Sequence, residues 1–122
     1  MNRTMTTLVA AGLLAVVSAG MAIATGAIAV DDSYGDEPSG VGYGFVTLYG
    51  SKQEASAGAM DACQSEGNTD CKVVLTFQNC GAYASSRNNY GVGTGRTMDA
   101  AEKFALTNCG EAECIAVVSD CE

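Results

Sequence analysis

Two hydrophobic periods alternate along this chain, and the alternation occurs twice. Gly26–Val30 and Tyr43–Val46 are short runs of small, β-branched and aromatic residues punctuated by glycine, and they read as strands. The period then changes: Ala55, Ala59 and Cys63 fall four apart, which places one narrow stripe of small side chains along a helix. Ser51 followed by Glu54 is a capping box that opens that helix. Cys71–Phe77, rich in Val and Thr, returns to strand.

From residue 81 the same order recurs. Gly81–Ser85 and Tyr90–Gly93 read as strands, Thr97 caps a helix with Asp99 in its first turn, and Ala101, Ala105 and Cys109 repeat the stripe. Cys114–Val118 closes the unit. In both halves the capping hydroxyl precedes the helix cysteine by twelve positions, Ser51 to Cys63 and Thr97 to Cys109. The pattern predicts an α+β domain of two β-β-α-β pseudo-repeats, 26–80 and 81–121, forming a mainly antiparallel sheet. Small side chains on both helices permit close approach, so both helices are expected on one face of that sheet. Met60 and Leu106 are expected beside the two stripes. The loops Asp31–Val41, holding Pro38, and Ser86–Asn89 join corresponding strands; the pattern leaves open whether they share an end of the molecule.

The chain has 122 residues, enough for one domain. Its start is an address rather than structure: Arg3, an apolar run from Leu8 to Val17, then small residues, which is the plan of a secretory signal peptide. Ala22-Ile23-Ala24 and Ala27-Ile28-Ala29 are competing cleavage sites. Cleavage after Ala24 is expected, because the later cut would remove the counterpart of a strand that the second half keeps. The expected product is one secreted domain, 25–122, extracellular or held in the cell envelope and free of the membrane once cleaved. It would carry five basic and fourteen acidic side chains. That balance repels phosphate backbones and anionic headgroups, which argues against nucleic-acid and membrane-surface partners.

Six cysteines, Cys63, Cys71, Cys80, Cys109, Cys114 and Cys121, allow fifteen pairings. Equivalent cysteines have equivalent neighbourhoods, so Cys63–Cys71 and Cys109–Cys114 are expected as local pairs. Cys80–Cys121 remains, expected to tie the two halves together. A thin core of about a hundred residues fits such stapling, at roughly 2–4 kcal/mol per bond. With no histidine and no Cys-x-x-Cys, neither a zinc site nor thioredoxin-like redox chemistry is expected, and no metal or cofactor is called for.

The remaining candidates are weaker. Gly91–Thr97 looks like a phosphate-cradling loop but lacks the P-loop Lys-Ser/Thr, so strand and turn glycines explain it better; Arg96 beside a helix start could hold an anion weakly. Asp31, Asp32, Asp36 and Glu37 have the flavour of a calcium loop without the EF-hand spacing, and a solvated loop is favoured. No nucleophile elbow or Ser-x-x-Lys is present, and no catalytic residue is assigned. Tyr34, Arg87, Asn88, Asn89 and Tyr90 are the candidate protein-binding residues, because Tyr, Arg and Asn in loops are common at recognition surfaces. Tyr43, Tyr49 and Tyr83 sit in strand patterns and are expected to pack.

The order of Gly-Ala-x-Ala, Tyr-Gly, a hydroxyl-capped Ala-rich helix ending in Cys, Cys-x-Val-Val and Asn79-Cys80-Gly81-Ala82 resembles the domain-of-unknown-function family numbered 4189. The resemblance runs from Gly26 to Cys121 and implies secretion, a compact α+β domain and disulfides, with some relatives resembling effectors that meet host cells. The chain departs from it in lacking a Trp near the first strand and in its longer Asp31–Val41 loop. The expected function is a non-enzymatic, monomeric binding or effector-like module for a host or envelope protein. The alternatives are a structural envelope protein, or a small hydrolase or enzyme inhibitor.

Overall fold

The computed structural model describes residues 24–33 and 38–122. The predicted leader up to residue 23, and Tyr34, Asp36 and Glu37, lie outside the described residues. The strands are β1 (Thr25–Asp31), β2 (Gly42–Tyr49), β3 (Lys72–Phe77), β4 (Cys80–Ser85), β5 (Tyr90–Gly95) and β6 (Ile115–Cys121). The helices are α1 (Lys52–Ser65) and α2 (Met98–Cys109), and a 3-10 turn spans Pro38–Gly40. Ser51 Oγ accepts from the amide of Glu54, and Thr97 Oγ1 from that of Ala100, so both predicted caps form.

The two β-β-α-β units are present, and all strand pairing is antiparallel. The strands are divided between two sheets, β2-β1-β3 and β5-β4-β6, where one sheet carrying both helices was expected. The reason is that the central strands are apolar on both faces. Along β1, Ala27 and Ala29 meet Ala55, Ala59 and Cys63 of α1. Ile28 and Val30 point the other way, into a layer with Phe77, Tyr83 and Val118. Along β4, Cys80, Ala82 and Ala84 meet Ala101, Ala105 and Cys109 of α2, while Tyr83 joins that same middle layer. A single sheet with both helices on one face would leave Ile28, Val30 and Tyr83 in water. Each sheet instead turns its small-residue face to its own helix and its large-residue face to the other sheet.

Close helix–strand approach depends on bare backbone. A Cβ on Gly44 would lie 2.2 Å from the Cys63 amide nitrogen, and one on Gly91 would lie 2.3 Å from that of Cys109. Gly91, Gly93 and Gly95 alternate along β5 directly beneath α2, which accounts for the glycine run that resembles a phosphate loop. Met60 packs at the edge of the first helix cluster, but Leu106 is exposed, on the solvent side of α2.

All three disulfides pair as predicted: Cys63–Cys71, Cys109–Cys114 and Cys80–Cys121. The role of the third differs from expectation. Cys80 opens β4 and stands directly opposite Cys121 across the β4–β6 ladder, so the bond closes the second sheet on itself. The two halves are held to each other by the middle apolar layer. A further link comes from a bulge in β2, where Thr25 pairs with Tyr49 but Ala27 with Val46. Leu48, at φ 66°, sits in that bulge, and its amide donates to both carboxylate oxygens of Glu122 at 2.7 and 2.9 Å.

Candidate functional site

The loops after β1 and β4 leave from the same end of the molecule, and each is fastened by a buried polar hub at the equivalent strand end. In the first half the hub is Asp31, which is fully buried. Its Oδ1 accepts from the amide and hydroxyl of Ser33, and its Oδ2 from the amides of Thr69 and Asp70 at 3.1 and 3.0 Å. Those four donors fill the carboxylate's acceptor sites. They hold its pKa below the ordinary value, the Ser33 hydroxyl foremost, against an opposing pull from burial. Asp31 is thereby an anchor rather than a calcium ligand, and Asp32 reaches Lys72 at 3.6 Å.

In the second half the carboxylate is on the other partner. Ser86, buried at the position matching Asp31, donates its hydroxyl to Glu111 and accepts from the amides of Asn88 and Asn89 at 3.3 and 3.1 Å. The Ser86 amide donates to the Asn89 carbonyl at 2.9 Å, closing the β4–β5 hairpin. Asn89 Nδ2 donates to the last carbonyl of α2, that of Cys109, at 3.3 Å. Asn68 caps α1 in the same way through Cys63, at 2.9 Å.

Of the predicted binding residues, Arg87, Asn88, Asn89 and Tyr90 are consecutive and exposed on this hairpin. Tyr90, 56% exposed, stacks on buried Tyr83 with ring centroids 5.8 Å apart, so one face of its ring is fixed and the other open. Burial of Tyr83 raises its own pKa above the ordinary phenol value. Arg87 joins Pro38 and Ser39 of the first loop, and Glu113 and Ile115 at the start of β6, around a depression of about 530 Å³. Both pseudo-repeats therefore contribute to one surface, which settles the arrangement that the sequence left open. Asn89 is the member with a clear structural duty, as a helix cap.

Sequence reasoning missed Glu113 and Ile115, and it misjudged one tyrosine. Tyr83 is buried as expected and Tyr49, though partly exposed, lays its ring over Gly58 of α1, but Tyr43 is exposed at the edge strand β2. Tyr43 stacks with Phe45 at 6.5 Å, both exposed. The available signal was the alternation Tyr43-Gly44-Phe45: a glycine that must touch α1 places both rings on the opposite face of an edge strand.

The described helices include none long and apolar enough to cross a membrane. A family described as "Domain of unknown function (DUF4189)" matches residues 25–121. The chain is 42% identical over 62 residues to Protein Rv1269c and Protein MT1307 of Mycobacterium tuberculosis and to Protein Mb1300c of Mycobacterium bovis. Each match covers 51% of this chain and 48% of the relative, so the chain spans about half the length of the curated relatives it matches. No solved structure matches it.

Proposed function

The chain belongs to the DUF4189 family, and from that footing we propose that it is an exported, non-enzymatic binding module that engages a host or envelope protein through its loop end. The observation that carries this reading is the shared depression, built by loops of both halves on a scaffold pinned beneath it by two disulfides and two polar hubs. Loops on rigid scaffolds are where recognition concentrates, because the ordering cost has been met before the partner arrives. Arg87 and Ile115 in the depression, with the exposed Tyr90 ring on the same hairpin as Arg87, suit a protein surface. Export is supported by three disulfides, which persist in oxidising compartments, and by a family match that begins at the residue after the expected cleavage site.

The test compares wild type with an Arg87→Ala/Tyr90→Ala variant in capture from envelope and host-cell extracts, with melting temperature checked for both. A partner recovered by wild type and lost by the equally stable variant supports the proposal. Equal recovery by both, or recovery by neither, removes it.

A further inference from the structure

At the opposite end of the molecule, where β1 and β4 begin, a cavity of about 460 Å³ carries a charge pattern unlike the rest of the chain. Lys52 and Arg96 line it, with Thr76, Thr94, Gln78 and Asn79, and no carboxylate does. Only five basic side chains lie beyond the predicted leader, against fourteen acidic ones, and two of the five meet here. Lys72 and Lys103 are paired with Asp32 and Asp99, at 3.6 and 3.3 Å. Lys52 and Arg96 make no ion pair with any described residue.

Their positions do not serve the helices. Lys52 is the first residue of α1, and Arg96 immediately precedes Thr97, the cap of α2. Both cations therefore stand at the positive ends of helix dipoles, where a cation is disfavoured. Two cations without a carboxylate partner line one recess with hydroxyl and amide side chains, and that combination favours an anion over a cation or a neutral molecule. The volume exceeds what a lone oxyanion fills, and the rest of the lining can hydrogen-bond to hydroxyl groups.

We propose that this cavity binds a tetrahedral oxyanion carried on a sugar-sized polar molecule, a sugar phosphate or sugar sulfate. The guanidinium fork of Arg96 and the point charge of Lys52 hold the oxyanion, and Thr76, Thr94, Gln78 and Asn79 receive the sugar hydroxyls. The acidic remainder of the surface keeps extended polyanions away while admitting a small one. The site is independent of the loop surface.

The test is calorimetric titration of the whole exported protein, at constant ionic strength, with glucose 6-phosphate, glucose 6-sulfate, inorganic phosphate, glucose and acetate. Glucose 6-phosphate or the sulfate should bind about tenfold or more tighter than inorganic phosphate, and far tighter than glucose or acetate. Lys52→Gln/Arg96→Gln should weaken that binding by about tenfold or more, whereas Lys72→Gln/Lys103→Gln, an equal change in net charge, should leave it intact. Because all four residues are exposed, both variants should melt with wild type. Absence of binding, equal loss in both variants, or acetate binding as well as the phosphate would overturn the proposal. A sugar phosphate binding no tighter than inorganic phosphate would remove its sugar component.

Discussion

The contact most sensitive to a single atom is the one between β5 and α2. Replacing Gly93 with Ala puts a methyl group 2.5 Å from the Ala101 carbonyl oxygen and the Ala105 amide nitrogen, and 2.6 Å from Phe104 Cβ. Two of those neighbours are backbone, so no rotamer change relieves the clash. To restore an ordinary separation of about 3.5 Å, the helix must move outward by about 1 Å. That shift would loosen Ala101, Ala105 and Cys109 from Ala82 and Ala84 together. Overpacking against fixed backbone falls in the upper part of the usual range, about 2–3 kcal/mol, and the stiffer unfolded chain returns about 0.4–1 kcal/mol, leaving about 1–2.5 kcal/mol of destabilisation. For a domain of this size that lowers the melting temperature by about 5–15 °C. Gly44→Ala tests the other half through the same kind of contact, against the Cys63 amide, and should fall by a similar amount. Gly40→Ala is the control: nothing lies within 4 Å of its added methyl, so it should match or slightly exceed wild type. Thermal melts by circular dichroism measure all three. If Gly93→Ala melts with the control, the helix does not rest on bare strand backbone and the packing argument fails.

Three further outcomes follow from the same structure. Loop-closure entropy ranks the disulfides: removing Cys80–Cys121, with a separation of 41, should cost about 4 kcal/mol, Cys63–Cys71, with 8, about 2.5, and Cys109–Cys114, with 5, about 2. Denaturant melts of the paired Cys→Ala variants check that order, and a local pair costing more than Cys80–Cys121 contradicts it. Asp31 has a lowered folded pKa, so its stabilisation is full above the unfolded carboxylate pKa of about 4 and fades as pH falls through the folded value. Melting temperature against pH should thus drop more steeply below about pH 4 in wild type than in Asp31→Asn, which starts lower; parallel profiles would remove Asp31 as the hub. Leu48 is 73% exposed and left-handed, so Leu48→Gly forfeits little burial and relieves about 1 kcal/mol of steric cost. It should be no less stable than wild type, and a loss above about 1 kcal/mol would show that the Leu48 side chain packs against something in solution.

Local signals carried far in this protein because each rests on short-range chemistry. Ser51 and Thr97 cap their helices because a hydroxyl next to free amides bonds them wherever the rest of the chain lies. The stripes Ala55-Ala59-Cys63 and Ala101-Ala105-Cys109 face inward because 3.6-residue periodicity aligns them. Cys63 with Cys71, and Cys109 with Cys114, pair because a helix end and the following strand start bring them close regardless of the wider fold. The loop surface was half legible: Arg87 to Tyr90 stand exposed in a hairpin, as turn-type residues do.

Nothing in those signals says what lies on the far face of a strand. Ile28, Val30 and Tyr83 are plainly apolar in the sequence, yet whether they meet a helix, a second sheet or a partner depends on which surface remains once both helices have docked. Cys80 reads equally as the end of one repeat or the start of the next, since only Gln78 and Asn79 separate β3 from β4. Pro38 and Arg87 share a depression, and Lys52 and Arg96 share a cavity, because the two sheets stack with β1 and β4 starting at the same end. Caps, stripes, repeat and local disulfides were thus determined by the sequence itself, through interactions spanning a few residues. The pairing of sheets, and with it every neighbour contributed by the other half, was decided by burial of the second apolar face, a property of the assembled halves that no local window contains.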